Sequence, residues 1–239
     1  MCTITLVPHP DSMNGFILTS NRDEAVSRET LPPKKTVYKG KKLFFPKDEK
    51  AGGTWIGVSE NSRCICLLNG AERPHARKPE YRKSRGVVVK DFLAAHKLKD
   101  QFNKYDLLDI EPFTMIIVDW HNGLAFYEFL WDGKDRKLTK LKLKEHIWSS
   151  SPLYSEKMKA SRVRWFKDLK ESEGFSSESL LEFHHKGGEG NKEFDLIIDR
   201  GFLKTQSITQ IHNSAKELKF WYKSLVTKEV YEDYLQFKA

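Results

Sequence analysis

The sequence predicts an α+β fold in which antiparallel sheets are covered by a few helices. Two observations carry this. Short runs of apolar–polar alternation are joined in pairs by turn residues, so the strands come as hairpins. Between them stand a small number of Ser-capped segments with helical periodicity. No repeat, low-complexity tract or linker interrupts the 239 residues, which read as one domain over 1–239.

Taken in order, residues 2–7 alternate and form a first strand, 8–14 are a turn, and 15–20 are the returning strand. Asn21-Arg22-Asp23-Glu24 stand at that strand's end. Residues 31–42, rich in Pro and Lys, read as a surface loop able to cover a pocket, with Phe44-Phe45-Pro46 as an apolar anchor. Residues 51–58 give a glycine turn and a short strand, and 63–69 return from a tight turn at 59–62. A polar loop leads to a helix over 84–95 with Ser84 as N-cap, then a short helix over 103–108. Strands at 112–119 and 124–131 flank His121-Asn122-Gly123, and 137–142 with 146–150 extend the sheet. Helices follow at 152–169 and 176–185, then a Gly-rich loop over 186–193. A last hairpin pairs 205–212 with 218–223 through a turn at 213–216, and 228–237 fits either a helix or a strand.

Composition narrows the classes. Apolar residues make up 39% and aromatics 12%, enough for a packed core. The longest apolar run, 113–118, cannot span a bilayer, and no secretory pattern opens the chain, so the expected compartment is the cytoplasm. The net charge of +8 raises nucleic acid and anionic ligands. The lysines are dispersed, however, and the densest block, 134–144, alternates as a half-exposed strand, so nucleic-acid binding is not expected. Three cysteines make no disulfide framework. Cys64 and Cys66 share one face of an apolar strand and read as buried thiols, and no residue set has the spacing of a metal site.

Cys2 is different. Removal of Met1 would make it the N-terminus, carrying a nucleophilic thiol and a base in its own α-amino group. Their reference pKa values, about 8.5 and about 7.7–8.0, let a neutral amine take the thiol proton. Position alone also fits a small residue in a strand. Arg22 and Asp23 change the weighing, because the hairpin can bring them to Cys2. A guanidinium there favours thiolate and offers donors to an oxyanion, and a carboxylate orients the amine. Asn69, at the end of an apolar strand, can offer its amide to a substrate carbonyl, and Trp55 is a core or pocket-wall residue.

Met1-Cys2, the run Asn21-Arg22-Asp23-Glu24, Gly52-Gly53-Thr54-Trp55-Ile56-Gly57 and Leu67-Leu68-Asn69 together resemble the NRDE family, also called the transport and Golgi organisation protein 2 family. Ser84-Arg85-Gly86 and residues 113–119 fit the same pattern, which is dense over 1–90 and thin after 170. A looser resemblance reaches the choloylglycine hydrolase and penicillin V acylase amidases. The resemblance implies an N-terminal-nucleophile hydrolase-like αββα sandwich. It implies catalytic roles for Cys2, Arg22, Asp23, Asn69 and Ser150, and substrate contacts from Asn21, Glu24, Trp55 and Arg85. Ser150 stands where those amidases place an oxyanion-hole Asn, and its hydroxyl offers one donor.

The function this implies is hydrolysis of an amide or thioester bond in a small, anionic acylated molecule, with no cofactor required. The alternative is a non-catalytic carrier of haem or acyl-CoA lipid using the same pocket, in line with the haem-trafficking and lipid-homeostasis roles proposed for the family. Haem would need an axial ligand, and His9, His121, His184, His185 and His212 qualify by residue type alone.

Overall fold

The computed structural model describes residues 2–9, 12–73, 75–214 and 217–236, and the backbone alone of Cys2. Parts of four expected features therefore lie outside the described residues: Pro10 and Asp11 of the first turn, Pro74 of the polar loop before the first helix, Ala215 and Lys216 of the last turn, and Phe237 of the tail. The chain divides into two compact units, one of residues up to Ser27 with Leu143–Gln236, the other of Arg28–Lys142.

The chain opens in the first unit with β1 (Cys2–Pro8) and β2 (Phe16–Ala25). It then builds the second unit from β3 (Thr30–Tyr38), β4 (Lys41–Asp48), β5 (Ile56–Ser59), β6 (Arg63–Asn69), α1 (Arg85–Ala94), α2 (Leu98–Lys104), β7 (Phe113–Asp119), β8 (Ala125–Trp131) and β9 (Arg136–Leu141). It returns to the first unit with β10 (His146–Ser149), α3 (Glu156–Ser172), α4 (Ser177–Lys186), β11 (Leu203–Asn213), β12 (Leu218–Ser224) and β13 (Val230–Leu235). The first sheet runs β10-β1-β2-β11-β12-β13 and the second β3-β4-β5-β6-β7-β8-β9. Every pairing in both is antiparallel.

In the first unit, α3 and α4 cover one face of the sheet. Phe166, Leu180, Phe183 and Leu196 bury themselves with Val7 and Ile17, each large side chain contributing roughly 1.5–3 kcal/mol by leaving water. Ser176 and Ser179 form a reciprocal capping box at the start of α4. In the second unit, Val88, Val89, Phe92 and Leu93 are the buried side of α1, whose N-cap Ser84 accepts from the Val87 amide. Asp91 on α1 accepts from Tyr38, Lys39, Lys83 and Tyr105 and so ties the β3–β4 hairpin to the helix. That hairpin turns at Lys39 (φ 51°) and Gly40 (φ 74°), both left-handed, as a type I′ turn demands.

The glycine motif has a steric reason. A Cβ on Gly53 would lie 2.4 Å from the Gly86 carbonyl carbon, and the Thr54 amide donates to the Gly86 oxygen at 3.1 Å. The two backbones touch, and only glycine fits.

Several sequence expectations are corrected. Residues 31–42 are a β-hairpin rather than a loop. Pro32 and Pro33 misled because they sit where the register shifts between Leu31 and Lys34, on the edge strand of the sheet, where proline is tolerated. Asn21-Arg22-Asp23-Glu24 do not end the strand but lie within β2, which continues to Ala25. The short helix is Leu98–Lys104, with Asp100 in its first turn and Lys104 in its last, matching the helix dipole. The helix expected from 152 starts at Glu156, where Ser155 caps it by accepting from Met158 at 3.3 Å. Residues 137–142 and 146–150 do not extend one sheet; β9 is the edge of the second and β10 the edge of the first. The tail is a strand, β13. Cys64 and Cys66 are buried thiols outside any disulfide, as expected, and burial pushes the Cys64 thiol far above its usual range.

Candidate functional site

In the first unit, β1 and β2 pair so that the Cα partner of Cys2 is Arg22. On its other side Arg22 pairs with Ser207 of β11, and Asp23 pairs with Thr205. The ladder slips between those two residues, leaving Gln206 as the extra member of a β-bulge. Gln206 is held there by donating to the carbonyls of Ala25 at 2.7 Å and Glu24 at 3.3 Å. Ser149 pairs with Thr3, so Ser150, the next residue, stands at the Cys2 end of β1. The first sheet thus brings Cys2, Arg22, Asp23 and Ser150 to one end. The thiol of Cys2 lies outside the described residues.

Asp23 is fully buried. Its Oδ1 accepts from Thr205 Oγ1 at 2.7 Å, and its Oδ2 accepts a short hydrogen bond from the Tyr154 hydroxyl. Burial pushes the carboxyl above the usual carboxylate range, while Tyr154, Thr205 and the charge of Arg162 pull it back. Tyr154 itself stays protonated, held well above its usual range by burial and by the neighbouring carboxylate. Its ring lies under the Arg162 guanidinium, 3.5 Å from the ring centre.

Arg162 is fully buried on α3. It donates to Thr3 Oγ1 at 2.7 Å and to the carbonyls of Phe194 and Asp195 at 3.0 Å and 2.7 Å. Ser150 is buried too, and its carbonyl accepts from the amides of Leu153 and Tyr154 at 3.3 Å and 3.2 Å. That turn delivers Tyr154 to Asp23.

Asn21 faces the helices and serves the fold. Its Nδ2 donates to the carbonyls of Leu196 at 2.6 Å and His184 at 3.0 Å. Its Oδ1 therefore faces His184 Nδ1, 2.5 Å away. A carbonyl oxygen can only accept, so Nδ1 carries the proton and Nε2 accepts from Thr5 Oγ1 at 2.8 Å. Burial lowers the His184 pKa to about 3, so the ring is neutral. Asn21, expected as a substrate contact, has both its amide nitrogen and its amide oxygen engaged within the first unit. Both ring nitrogens of His184, one of the histidines named for haem by residue type, are likewise engaged in hydrogen bonds. His9 and His212 stack with ring centres 5.3 Å apart, and His121 is exposed on the β7–β8 turn.

Glu24 lies beside Arg22, Oε2 to Nη2 at 3.8 Å, and its Oε1 accepts from the Ala25 amide at 3.0 Å. The remaining expected residues belong to the second unit. Asn69 ends β6 opposite Phe113. Trp55 is buried just before β5, where its carbonyl accepts from the Leu67 amide at 2.7 Å. Arg85 opens α1 and is engaged by Glu111 at 3.0 Å and by the Pro112 carbonyl at 3.1 Å.

Sequence reasoning missed Tyr154, Arg162 and Thr205. One signal was present. Arg162 occupies the same helical stripe as Met158 and Phe166, and a charge at four-residue spacing among apolar residues marks a buried ionic role. No metal-holding group of three or more His, Cys, Asp or Glu occurs among the described residues. Among them, too, no helix is long and apolar enough to cross a membrane.

The family profile described as Transport and Golgi organisation 2 matches residues 1–232. No curated protein sequence matches the chain. Among solved structures, penicillin V acylase from Agrobacterium tumefaciens superposes with a TM-score of 0.60 at 10% identity, covering 98% of this chain and 86% of that one. A mutant conjugated bile acid hydrolase from Clostridium perfringens gives 0.58 at 8% identity, covering 100% and 94%. The Caenorhabditis elegans orthologue of N-acylethanolamine-hydrolyzing acid amidase gives 0.57 at 13% identity, covering 88% and 92%. These likenesses establish the fold: two antiparallel sheets with flanking helices, the N-terminal-nucleophile hydrolase-like fold expected from the sequence.

Proposed function

The chain belongs to the Transport and Golgi organisation 2 family, and from that premise we propose that it is a hydrolase of amide or thioester bonds in small acylated molecules, with Cys2 as nucleophile after Met1 is removed. The observation that carries the proposal is the register that sets Cys2 opposite Arg22 and one residue from a buried Asp23, in a fold whose solved neighbours include an acylase, a bile acid hydrolase and an acid amidase.

In the proposed reaction the α-amino group of Cys2 takes the thiol proton and the thiolate attacks the substrate carbonyl carbon. Arg22 favours the thiolate by its positive charge. The tetrahedral oxyanion collapses, the carbon–nitrogen or carbon–sulfur bond breaks, and the leaving group takes the proton from the ammonium. Water, deprotonated by the same amine, then cleaves the acyl thioester and restores the thiol. Asp23, held by Tyr154 and Thr205, positions the amine. The Ser150 position supplies one oxyanion donor.

The test is an intact-mass measurement with a turnover assay on acyl p-nitroanilides and acyl thioesters. The expected protein lacks one methionine, takes a single thiol-selective adduct at Cys2, and loses turnover in Cys2→Ala while keeping its melting temperature. Turnover that survives Cys2→Ala, or a retained Met1 with an unreactive Cys2, overturns the proposal.

A further inference from the structure

The second unit contains a cavity of about 770 Å³ at one end of its sheet, within the range of roughly 300–1,000 Å³ typical of small-molecule sites. The β5–β6 turn, the β7–β8 turn and the segment from α1 into α2 meet there. We propose that this cavity binds a phosphorylated small molecule of nucleotide size through Lys97, Lys99 and Lys140. The proposal is independent of the hydrolase reading and uses none of its residues.

Charge is the first argument. Asp119 is the single acidic side chain in the lining, and Arg63 neutralises it with two hydrogen bonds to Oδ2, at 3.0 Å and 2.9 Å. Lys41 has Glu60 at 3.4 Å. Among the described residues Lys97, Lys99 and Lys140 form no ion pair. Several uncompensated ammonium groups around one hollow repel each other, and a polyanion removes that repulsion. Their three separated point charges suit several phosphates better than one carboxylate, because an ammonium binds phosphate without a fixed fork geometry.

Rigidity is the second. Arg63 is buried, and its Nη1 donates to the carbonyls of Phe92 at 2.9 Å and Ala95 at 2.8 Å. Asn61 donates to the Ala94 and Ala95 carbonyls at 3.3 Å and 3.1 Å. The negative end of α1 is therefore capped from within the wall and does not oppose an anion. Tyr127 and Lys140 are cross-strand partners, so a ring stands beside a charge, an arrangement that fits a flat group attached to phosphates.

The test is isothermal titration of the full chain with ATP and with pyrophosphate. ATP is expected to bind at one site, and to bind more weakly when salt rises from about 50 mM to about 200 mM. The variant K97E/K99E/K140E should lose at least about tenfold in affinity without a lower melting temperature, since all three side chains are exposed. The control K157E/K167E/K192E has the same net charge, also on exposed positions, and should bind like wild type. If the cavity variant melts early, Lys140→Gln alone should still weaken binding while the control does not. No binding of ATP at millimolar concentration, or equal weakening in both triple variants, overturns the proposal. So does binding confined to phosphatidylserine vesicles, which would make the patch a membrane contact.

Discussion

Replacing Tyr154 with Phe isolates the bond that holds Asp23. The ring stays under the Arg162 guanidinium, 3.5 Å from its centre, so the cation–π contact survives and only the hydroxyl is lost. That hydroxyl donates to a buried carboxyl that also accepts from Thr205 at 2.7 Å. A hydrogen bond to a charged group contributes about 1.5–3 kcal/mol, against about 1 kcal/mol for a neutral one. The sign follows from the titration. Burial already raises the Asp23 pKa, and Tyr154 opposes that rise by favouring the ionised form. Its loss raises the pKa further, so ionising Asp23 costs more in the variant. Y154F should therefore match wild type most closely in acid, where Asp23 is protonated in both, and lose stability relative to it as pH rises through the Asp23 transition. Urea unfolding of both proteins across pH 4–8 should show a deficit of about 1 kcal/mol at the acid end growing to about 1.5–3 kcal/mol at the alkaline end. A deficit that stays flat with pH, or falls toward the alkaline end, would refute the assignment of Tyr154 as the donor to an ionisable Asp23.

Other consequences can be checked on the same material. Gly53→Ala forces a Cβ to 2.4 Å from the Gly86 backbone. It should lower the melting temperature by several degrees or prevent folding, whereas Gly52→Ala, with open space around its Cβ, should cost only the strain of its left-handed φ, about 1–2 kcal/mol. His184 is neutral with a pKa lowered to about 3, so its contribution to stability is complete above its unfolded value of about 6.5 and is lost as pH falls toward about 3, at about 1.4 kcal/mol per unit. His184→Gln should flatten that part of the wild-type pH–stability curve, and an unchanged acid limb would contradict the neutral assignment. Arg162→Met should destabilise strongly, because Thr3 and the Phe194 and Asp195 carbonyls lose their donor inside the core. A melting temperature within a degree or two of wild type would show those groups satisfied by other means.

The hairpins were legible because alternation is a direct record of one buried face, as in residues 2–7 and 63–69. The NRDE run was read as a strand end because four polar residues look solvated. They are nonetheless interior to β2, where Thr19, Asn21 and Asp23 are buried beside Thr3 and Thr5 of β1 and these polar side chains are met by α3, α4, Tyr154, Thr205 and Gln210. Periodicity cannot announce such a face, since the partners come from about 130 to 190 positions away in sequence. For the same reason Cys2 and Arg22 could be named as candidates from the hairpin between them, while Tyr154 and Thr205 could not, and Arg162 left only the trace of a charge on the Met158–Phe166 stripe of its helix. The bulge at Gln206 left no local trace either. Beside it, β2 puts its two faces to different uses.

That last point explains the four-residue motif. Strand alternation sends residues 21 and 23 to one face of β2 and residues 22 and 24 to the other. Asn21 and Asp23 face the helices, Asn21 locking His184 and Asp23 meeting Tyr154. Arg22 lies beside Glu24 at 3.8 Å and opposite Cys2 in the ladder. The motif is therefore two interleaved pairs rather than one cluster of four. Adjacent in sequence, Arg22 and Asp23 point apart, so the buried carboxylate cannot rely on the guanidinium next to it. It draws on neutral donors at contact distance and on Arg162, which reaches it through the Tyr154 ring. Burial raises the Asp23 pKa, and these donors hold the carboxyl in place while pulling that rise only part of the way back. A carboxyl fixed in position is what the proposed chemistry asks of a group that holds an N-terminal amine while the amine takes and returns a proton in each turnover.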